Sequence, residues 1–206
     1  MKPITEMTAE EARGLTYVLM DIDDTITCRG KLLAASFTAL WKLHEAGLKV
    51  IPVTGRPAGW CDLIAREWPV DGVIGENGAF AFWEETNGSG RPNLKTLSHP
   101  NAIRNDHSIL TNVKERALKA FPDVRVAKDQ FARLYDLALD FAEEDPILPL
   151  ETAERIKNSA VELGAQAKVS SIHVNIWMGV YDKLSMTEAF LSRRFGWTEG
   201  SGDGEV

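Results

Sequence analysis

The chain alternates short, unbroken apolar runs with longer stretches in which apolar residues return every three or four positions. The run Tyr17–Met20 ends abruptly in acids, the pattern of a strand buried on both faces of a parallel sheet. Leu33, Phe37, Leu40 and Trp41 then recur at helical spacing until Gly47, which suits the position just past a helix. A second strand is predicted over 49–53. Pro52 is awkward inside it because proline cannot donate to a ladder, so that strand is expected to be short or bulged near its end. Pro57 opens a second helix carrying Trp60, Cys61, Leu63, Ile64 and Trp68 on its apolar side, and 70–74 reads as a third strand. Strand, helix, strand, helix, strand over about 60 residues predicts a Rossmann-like, doubly wound α/β core, with ligands bound at the C-terminal ends of the strands.

After Gly78 the rhythm changes. An apolar run over 79–83 leads into a loop over 86–93 rich in Asn, Gly, Ser and Pro, which is read as a domain boundary. Helical patterns near 101–121 and from Pro149 or Leu150 to Leu163 follow, with strands predicted over 124–128, 134–141, 166–169 and 172–178. This block is expected to be an inserted α+β cap over 81–178, leaving 1–80 and 179–206 as the core. A last helix is predicted to open at Asp182, whose side chain can cap it, and to stop before Gly196.

Composition adds exclusions. The 206 residues carry 44% apolar and 26% charged side chains, those of a folded globular chain. The net charge of −7 and the scatter of the bases argue against a nucleic-acid partner, which would call for a basic stripe. No apolar run reaches the ~18 residues that span a bilayer, and positions 1–14 lack a signal-peptide core, so a cytoplasmic chain without a membrane partner is expected. Cys28 and Cys61 are too few for a disulfide framework and are read as reduced packing residues.

The strongest chemical signal is Asp21-Ile22-Asp23-Asp24-Thr25, directly after the first strand. Two carboxylates ~4 Å apart at an effective dielectric near 20 repel by about 4 kcal/mol, so such a loop calls for a cation, a shared proton or full exposure. A divalent metal is the economical solution. A calcium-binding EF-hand loop is excluded, because Ile26 and Leu32 stand where its glycine and glutamate would be needed. Val53-Thr54-Gly55-Arg56-Pro57 follows the second strand and can offer a hydroxyl and amide hydrogens to phosphate oxygens, although Thr-Gly turns are common structural features. Lys183 lies in the first turn of the last helix, where it opposes the macrodipole but suits an anion.

Together these three segments resemble the haloacid dehalogenase superfamily of phosphohydrolases, and the insertion with Gly75-Glu76-Asn77-Gly78-Ala79 looks like its subgroup with a large α+β cap, which includes trehalose and sucrose 6-phosphate phosphatases. The resemblance implies that Asp21 attacks phosphorus to give an aspartyl-phosphate and that Asp23 protonates the leaving oxygen and later deprotonates water. It also implies that Thr54, Gly55 and Lys183 hold the phosphoryl oxygens, and that Mg²⁺ sits on the Asp21 carboxylate and the Asp23 main-chain carbonyl. Asp24 is read as a loop-stabilising carboxylate. Arg56, Glu76, Asn77, His173 and Asn175 are candidates for contact with a small phosphomonoester such as a sugar phosphate.

One departure stands out. The superfamily's fourth motif, a Gly-Asp at the end of a fourth strand, is not found: Gly202-Asp203-Gly204 follows a polar loop and is read as a decoy. Glu205 and Val206 look like the start of the absent strand, so the chain is expected to stop short of a complete core, with an exposed sheet edge and little turnover of its own. Alternatives are a phosphosugar mutase, which would conserve the phosphate ester, and a non-catalytic sugar-phosphate binder. A signalling receiver domain is disfavoured because it has no place for the cap.

Overall fold

The computed structural model describes residues 3–88 and 90–198. A short helix α1 (Ala9–Gly14), closed by a Thr8–Glu11 capping box, precedes β1 (Tyr17–Met20). The acidic loop after β1 leads into a small hairpin, β2 (Thr27–Cys28) and β3 (Lys31–Leu32), and then into α2 (Ala34–Glu45), β4 (Lys49–Pro52), α3 (Ala58–Glu67) and β5 (Val73–Gly75). β1 and β4 are parallel in the register Tyr17 to Lys49, and β4 meets β5 through a single parallel bridge, Val53 to Ile74. Pro52 accounts for that brevity. The amides of Lys49 and Val53 point at β1, bonding Thr16 and Met20, while those of Val50 and Thr54 point the other way. Pro52 therefore falls on the side facing β5 and removes a donor there.

The expected boundary at residue 81 is corrected by strand pairing. β6 (Phe80–Thr86) and β7 (Pro92–Ser98) join β5 antiparallel, in the order β5-β6-β7, so the core sheet continues through residue 98. The polar stretch that suggested a domain border belongs instead to the connection of the β6–β7 hairpin. The cap proper contains α4 (Ser108–Ala120), β8 (Arg125–Val126), β9 (Asp136–Asp140), α5 (Leu150–Glu162), β10 (Gln166–Val169) and β11 (His173–Trp177). Its strands pair antiparallel in the order β10-β11-β9-β8. The chain returns to the core in α6 (Lys183–Phe195), where Asp182 forms the N-cap with Ser185 and Gly196 closes the helix in the left-handed region. Among the described residues β1 pairs with β4 alone and is thus an edge strand, with Leu19 46% exposed. The sequence signals assigned to Gly202, Asp203, Gly204, Glu205 and Val206 lie outside the described residues.

Alternation along the cap strands separates two faces. Leu137, Leu139, Val174 and Ile176 pack with Leu110 and Val113 of α4 and Ile156 of α5 into an apolar core. The opposite face carries Asp136, Asp140, His173 and Asn175, all of them buried. A polar sheet face without covering helices can be buried only against something polar, and here it is turned to the mouth of the core sheet.

Core and cap share a joint built on the turn after β5. Glu76 is fully buried, and its carboxylate accepts hydrogen bonds from Ala58 at the start of α3 (3.0 Å) and from the cap amides of Leu134 (2.9 Å), Tyr135 (2.6 Å) and Asp136 (3.1 Å). Beside it Arg133, also buried, donates to Asp136 (3.0 Å), Asp129 (3.1 Å) and the carbonyl of Gly55 (3.3 Å). Around this polar knot Ala58, Cys61 and Phe80 of the core pack with Tyr135 and Trp177 of the cap. Two residues on, Gly78 adopts φ +108, and a Cβ there would come within 2.0 Å of the Asp182 carbonyl. Only glycine lets the start of α6 lie this close to the turn.

Burial, followed by the charge of Asp136, pushes the Glu76 pKa up to about 7 despite the pull of the amides. A carboxyl raised on folding binds more protons in the native than in the unfolded state between its ordinary 4.5 and about 7. Its stabilising contribution is therefore full below that window and lost as pH rises through it, on the order of 3 kcal/mol in all. Denaturation of the wild type and of Glu76→Gln at pH 5 and pH 8 should show this component of the pH dependence in the wild type only; identical pH dependence would refute the assignment. Gly78→Ala is expected to cost at least ~2 kcal/mol in the same measurement, through the forbidden backbone region and the clash with Asp182.

Candidate active site

The ends of β1 and β4, the start of α6 and the polar face of the cap enclose a cleft of about 320 Å³. β1 delivers Asp21 directly to its floor. The loop that follows coils back on itself, with the amides of Thr25, Ile26 and Thr27 all bonded to the Ile22 carbonyl. Ile22 is buried, anchoring the loop, while Asp21, Asp23 and Asp24 line the cleft. Asp24 takes a positive φ of 55, a conformation that aspartate tolerates better than most residues, and its amide bonds the Thr27 hydroxyl at 3.2 Å.

Each of the first two aspartates is matched by a cation from a distant part of the chain. Lys183 Nζ lies 2.6 Å from Asp21 Oδ2, across 162 positions of sequence. The lysine's unfavourable place in the first turn of α6 is thus offset by an acid opposite it. Arg56 grips Asp23 with two nitrogens, Nε at 2.9 Å from Oδ2 and Nη2 at 2.5 Å from Oδ1, and its guanidinium lies over the Trp60 ring at 4.5 Å. Such bidentate, charge-assisted pairs fix geometry as well as charge. The second Asp21 oxygen accepts from the Ile22 amide at 2.8 Å.

Of the residues singled out from sequence, Asp21, Asp23, Gly55, Arg56, Asn77, His173, Asn175 and Lys183 all line this cleft. Two do not. Thr54 is fully buried beneath it, its hydroxyl accepting from the Arg56 amide at 3.1 Å, so in this structure it shapes the turn that presents Gly55 and Arg56. Glu76, expected to face the cleft, is instead turned inward, because the amides of the cap linker and of α3 surround its carboxylate. Asn77 sits in the left-handed region beside Gly55, and its buried side-chain nitrogen has no protein acceptor. That leaves a donor at the cleft wall.

His173 bonds Glu143 at 2.8 Å and Asn175 donates to Asp136 at 2.9 Å, so both are held in place by cap acids. Sequence reasoning missed Arg133, Lys168, Ser170 and Ser171, which also line the cleft. Arg133 and Asp136 flank two apolar residues with opposite charges at i and i+3, and that spacing was the available signal. Nothing local distinguishes Lys168 from a solvated lysine on an edge strand.

Among the described residues no group of three or more His, Cys, Asp or Glu side chains is arranged to close around a metal. The oxygen donors of the acidic loop suit a hard ion that keeps several waters, as Mg²⁺ does, rather than one fully caged by protein. Among the described residues no helix is long and apolar enough to cross a membrane.

Comparison with known proteins agrees with this fold. Residues 18–116, just under half of the chain, match the model of a family described as haloacid dehalogenase-like hydrolase. A Thermoplasma acidophilum protein of known structure is 15% identical, with 89% of this chain and 73% of that one aligned and a TM-score of 0.63. A haloacid dehalogenase-like hydrolase from Bacteroides thetaiotaomicron is 12% identical over 89% and 78% of the two chains, with a TM-score of 0.61. The sucrose-phosphatase of Synechocystis sp. PCC6803, solved with sucrose and phosphate, is 14% identical over 89% and 71%, with a TM-score of 0.53. The chain therefore has the fold of the haloacid dehalogenase-like hydrolases, an α/β core with an α+β cap inserted in it.

Proposed function

We propose that this chain is a haloacid dehalogenase-type phosphatase that hydrolyses a small phosphomonoester, a sugar phosphate or a compound of similar size, through an aspartyl-phosphate. The observation that carries the reading is the pairing of Asp21 with Lys183 and of Asp23 with Arg56 in one cleft beneath a polar cap face. A nucleophilic carboxylate needs a neighbouring cation to let an anionic ester approach, and a second carboxylate to move the proton. The loop after β1 supplies both carboxylates, and α6 and the turn after β4 supply the cations. Fold relatives that include a sucrose-phosphatase support the substrate class.

The chemistry divides between the two acids. An Asp21 carboxylate oxygen attacks phosphorus, and as the bond to the ester oxygen breaks, Asp23 supplies the proton that the departing alkoxide takes. Asp23 then accepts a proton from water, whose oxygen attacks phosphorus and returns the Asp21 carboxylate with release of inorganic phosphate. Lys183, the Gly55 amide and the Asn77 side chain hold the non-bridging oxygens, with Thr54 supporting the turn from below. Arg56 orients Asp23, and an incoming phosphate dianion competes for the same guanidinium, freeing the acid for proton transfer. The Asp21 carboxylate and the Asp23 main-chain carbonyl would hold Mg²⁺, which when bound offsets the negative charge of the phosphoryl group.

Purified chain incubated with a panel of phosphorylated sugars and Mg²⁺ should release inorganic phosphate, at a low rate because the fourth motif was not found; isomerised ester without free phosphate would identify a mutase instead. Asp21→Asn is expected to lower turnover by at least ~1,000-fold while leaving the melting temperature nearly unchanged, as befits a half-exposed nucleophile. Turnover within tenfold of wild type would remove Asp21 from the role. Chelation of divalent ions should abolish activity, and added Mg²⁺ should restore it.

A further inference from the structure

The acids and bases lining the cleft are unevenly placed. All three acids, Asp21, Asp23 and Asp24, stand on the core floor. Of the four cations, Lys183 and Arg56 are paired with that floor and Arg133 is held by Asp129 and Asp136. The fourth, Lys168 on β10, has no hydrogen-bond or ion-pair partner among the described residues, yet it lines the cleft from the cap side. Its register partner across the hairpin is Asn175, so its side chain leaves the sheet on the polar face rather than the helix-covered one.

The turn between β10 and β11 adds to this. Ser170 is used within the turn, accepting from the His173 amide at 2.9 Å and donating to the His173 carbonyl at 3.1 Å. That bonding props up Ser171, whose hydroxyl and amide find no partner among the described residues and which also lines the cleft. The cap tip thus offers an ammonium, a hydroxyl and an amide hydrogen, none of which has an ion-pair or hydrogen-bond partner among the described residues. The other polar side chains of this wall are engaged, His173 with Glu143 and Asn175 with Asp136. A cleft of about 320 Å³ is at the small end of ligand sites, roughly 300 to 1,000 Å³, and floor and tip line it together.

Resting on the phosphatase reading, we propose that the preferred substrate carries a second oxyanion on its leaving group, a carboxylate or a second phosphate, received by Lys168 and Ser171 of the cap. A neutral sugar would leave an unpaired ammonium facing it across the cleft. An ester with acidic groups at both ends meets a cation at each.

Calorimetric titration of the full chain with three phosphonates, in the presence of Mg²⁺, tests this without relying on turnover. One phosphonate bears a carboxylate three bonds from phosphorus, one a second phosphonate at that distance, and propylphosphonate has neither. The carboxylated or the doubly phosphonated compound should bind at least tenfold more tightly than propylphosphonate, and whichever does so identifies the oxyanion. Lys168→Met should remove most of that preference, Ser171→Ala part of it, and Lys168→Arg should retain it. Equal binding of all three compounds, no binding of any, or a preference that survives Lys168→Met would overturn the proposal. Wild-type hydrolysis of p-nitrophenyl phosphate separates the two claims. Hydrolysis without the preference sinks the oxyanion site alone, whereas the preference without hydrolysis of any phosphomonoester sinks the phosphatase reading and leaves the site standing.

Discussion

Three carboxylates crowded into one loop at the end of a strand cannot be left to repel one another. The fold answers with cations drawn from elsewhere, Lys183 from the last helix and Arg56 from the turn after β4. Each of these is delivered by a secondary structure that other contacts put in place. The parallel pairing of β1 with β4 brings the turn beside the acids, and the close approach of α6 to Gly78 brings in the lysine. The attraction is only moderately strong at such partly exposed positions, so its main product is geometry. It holds the Asp21 and Asp23 carboxylates in fixed orientations at the cleft.

The cap obeys the same logic in a drier setting. Its sheet has one apolar face closed by two helices and one polar face that must find partners. Glu76 and Arg133 supply them, one a core acid held by cap amides and the other a cap base reaching the core carbonyl of Gly55. Because Gly55 and Arg56 form the turn beside the cleft, the joint that seats the cap also fixes part of the floor. Placement of the cap and shape of the turn after β4 are thus mechanically linked.

Much of this was legible in the chain itself. The abrupt passage from Tyr17–Met20 into aspartates located the floor, and Asp182 announced the helix that carries Lys183, because both depend on local chemistry. What escaped was set by pairing between distant segments. The run over 79–83 reads as well for a cap as for a core, and only its antiparallel pairing with β5 decides the matter. Glu76 was assigned to the cleft on position along the strand alone, whereas the amides that turn it inward come from residues 58 and 134–136. Thr54 lies where the motif puts it, but beneath the surface, since the turn needs its hydroxyl. Lys168 carried no mark in the sequence, for what sets it apart is that it has no ion-pair partner among the described residues.

The central claim is that Asp21 forms a bond to phosphorus. Rapid acid quench of the full chain during turnover of a ³²P-labelled phosphomonoester, followed by peptide mapping, addresses it directly. Covalent label is expected on the peptide that contains Asp21, discharged by water at a rate consistent with turnover. Steady hydrolysis with no protein-bound phosphate, or label carried by a peptide outside the loop after β1, would contradict it.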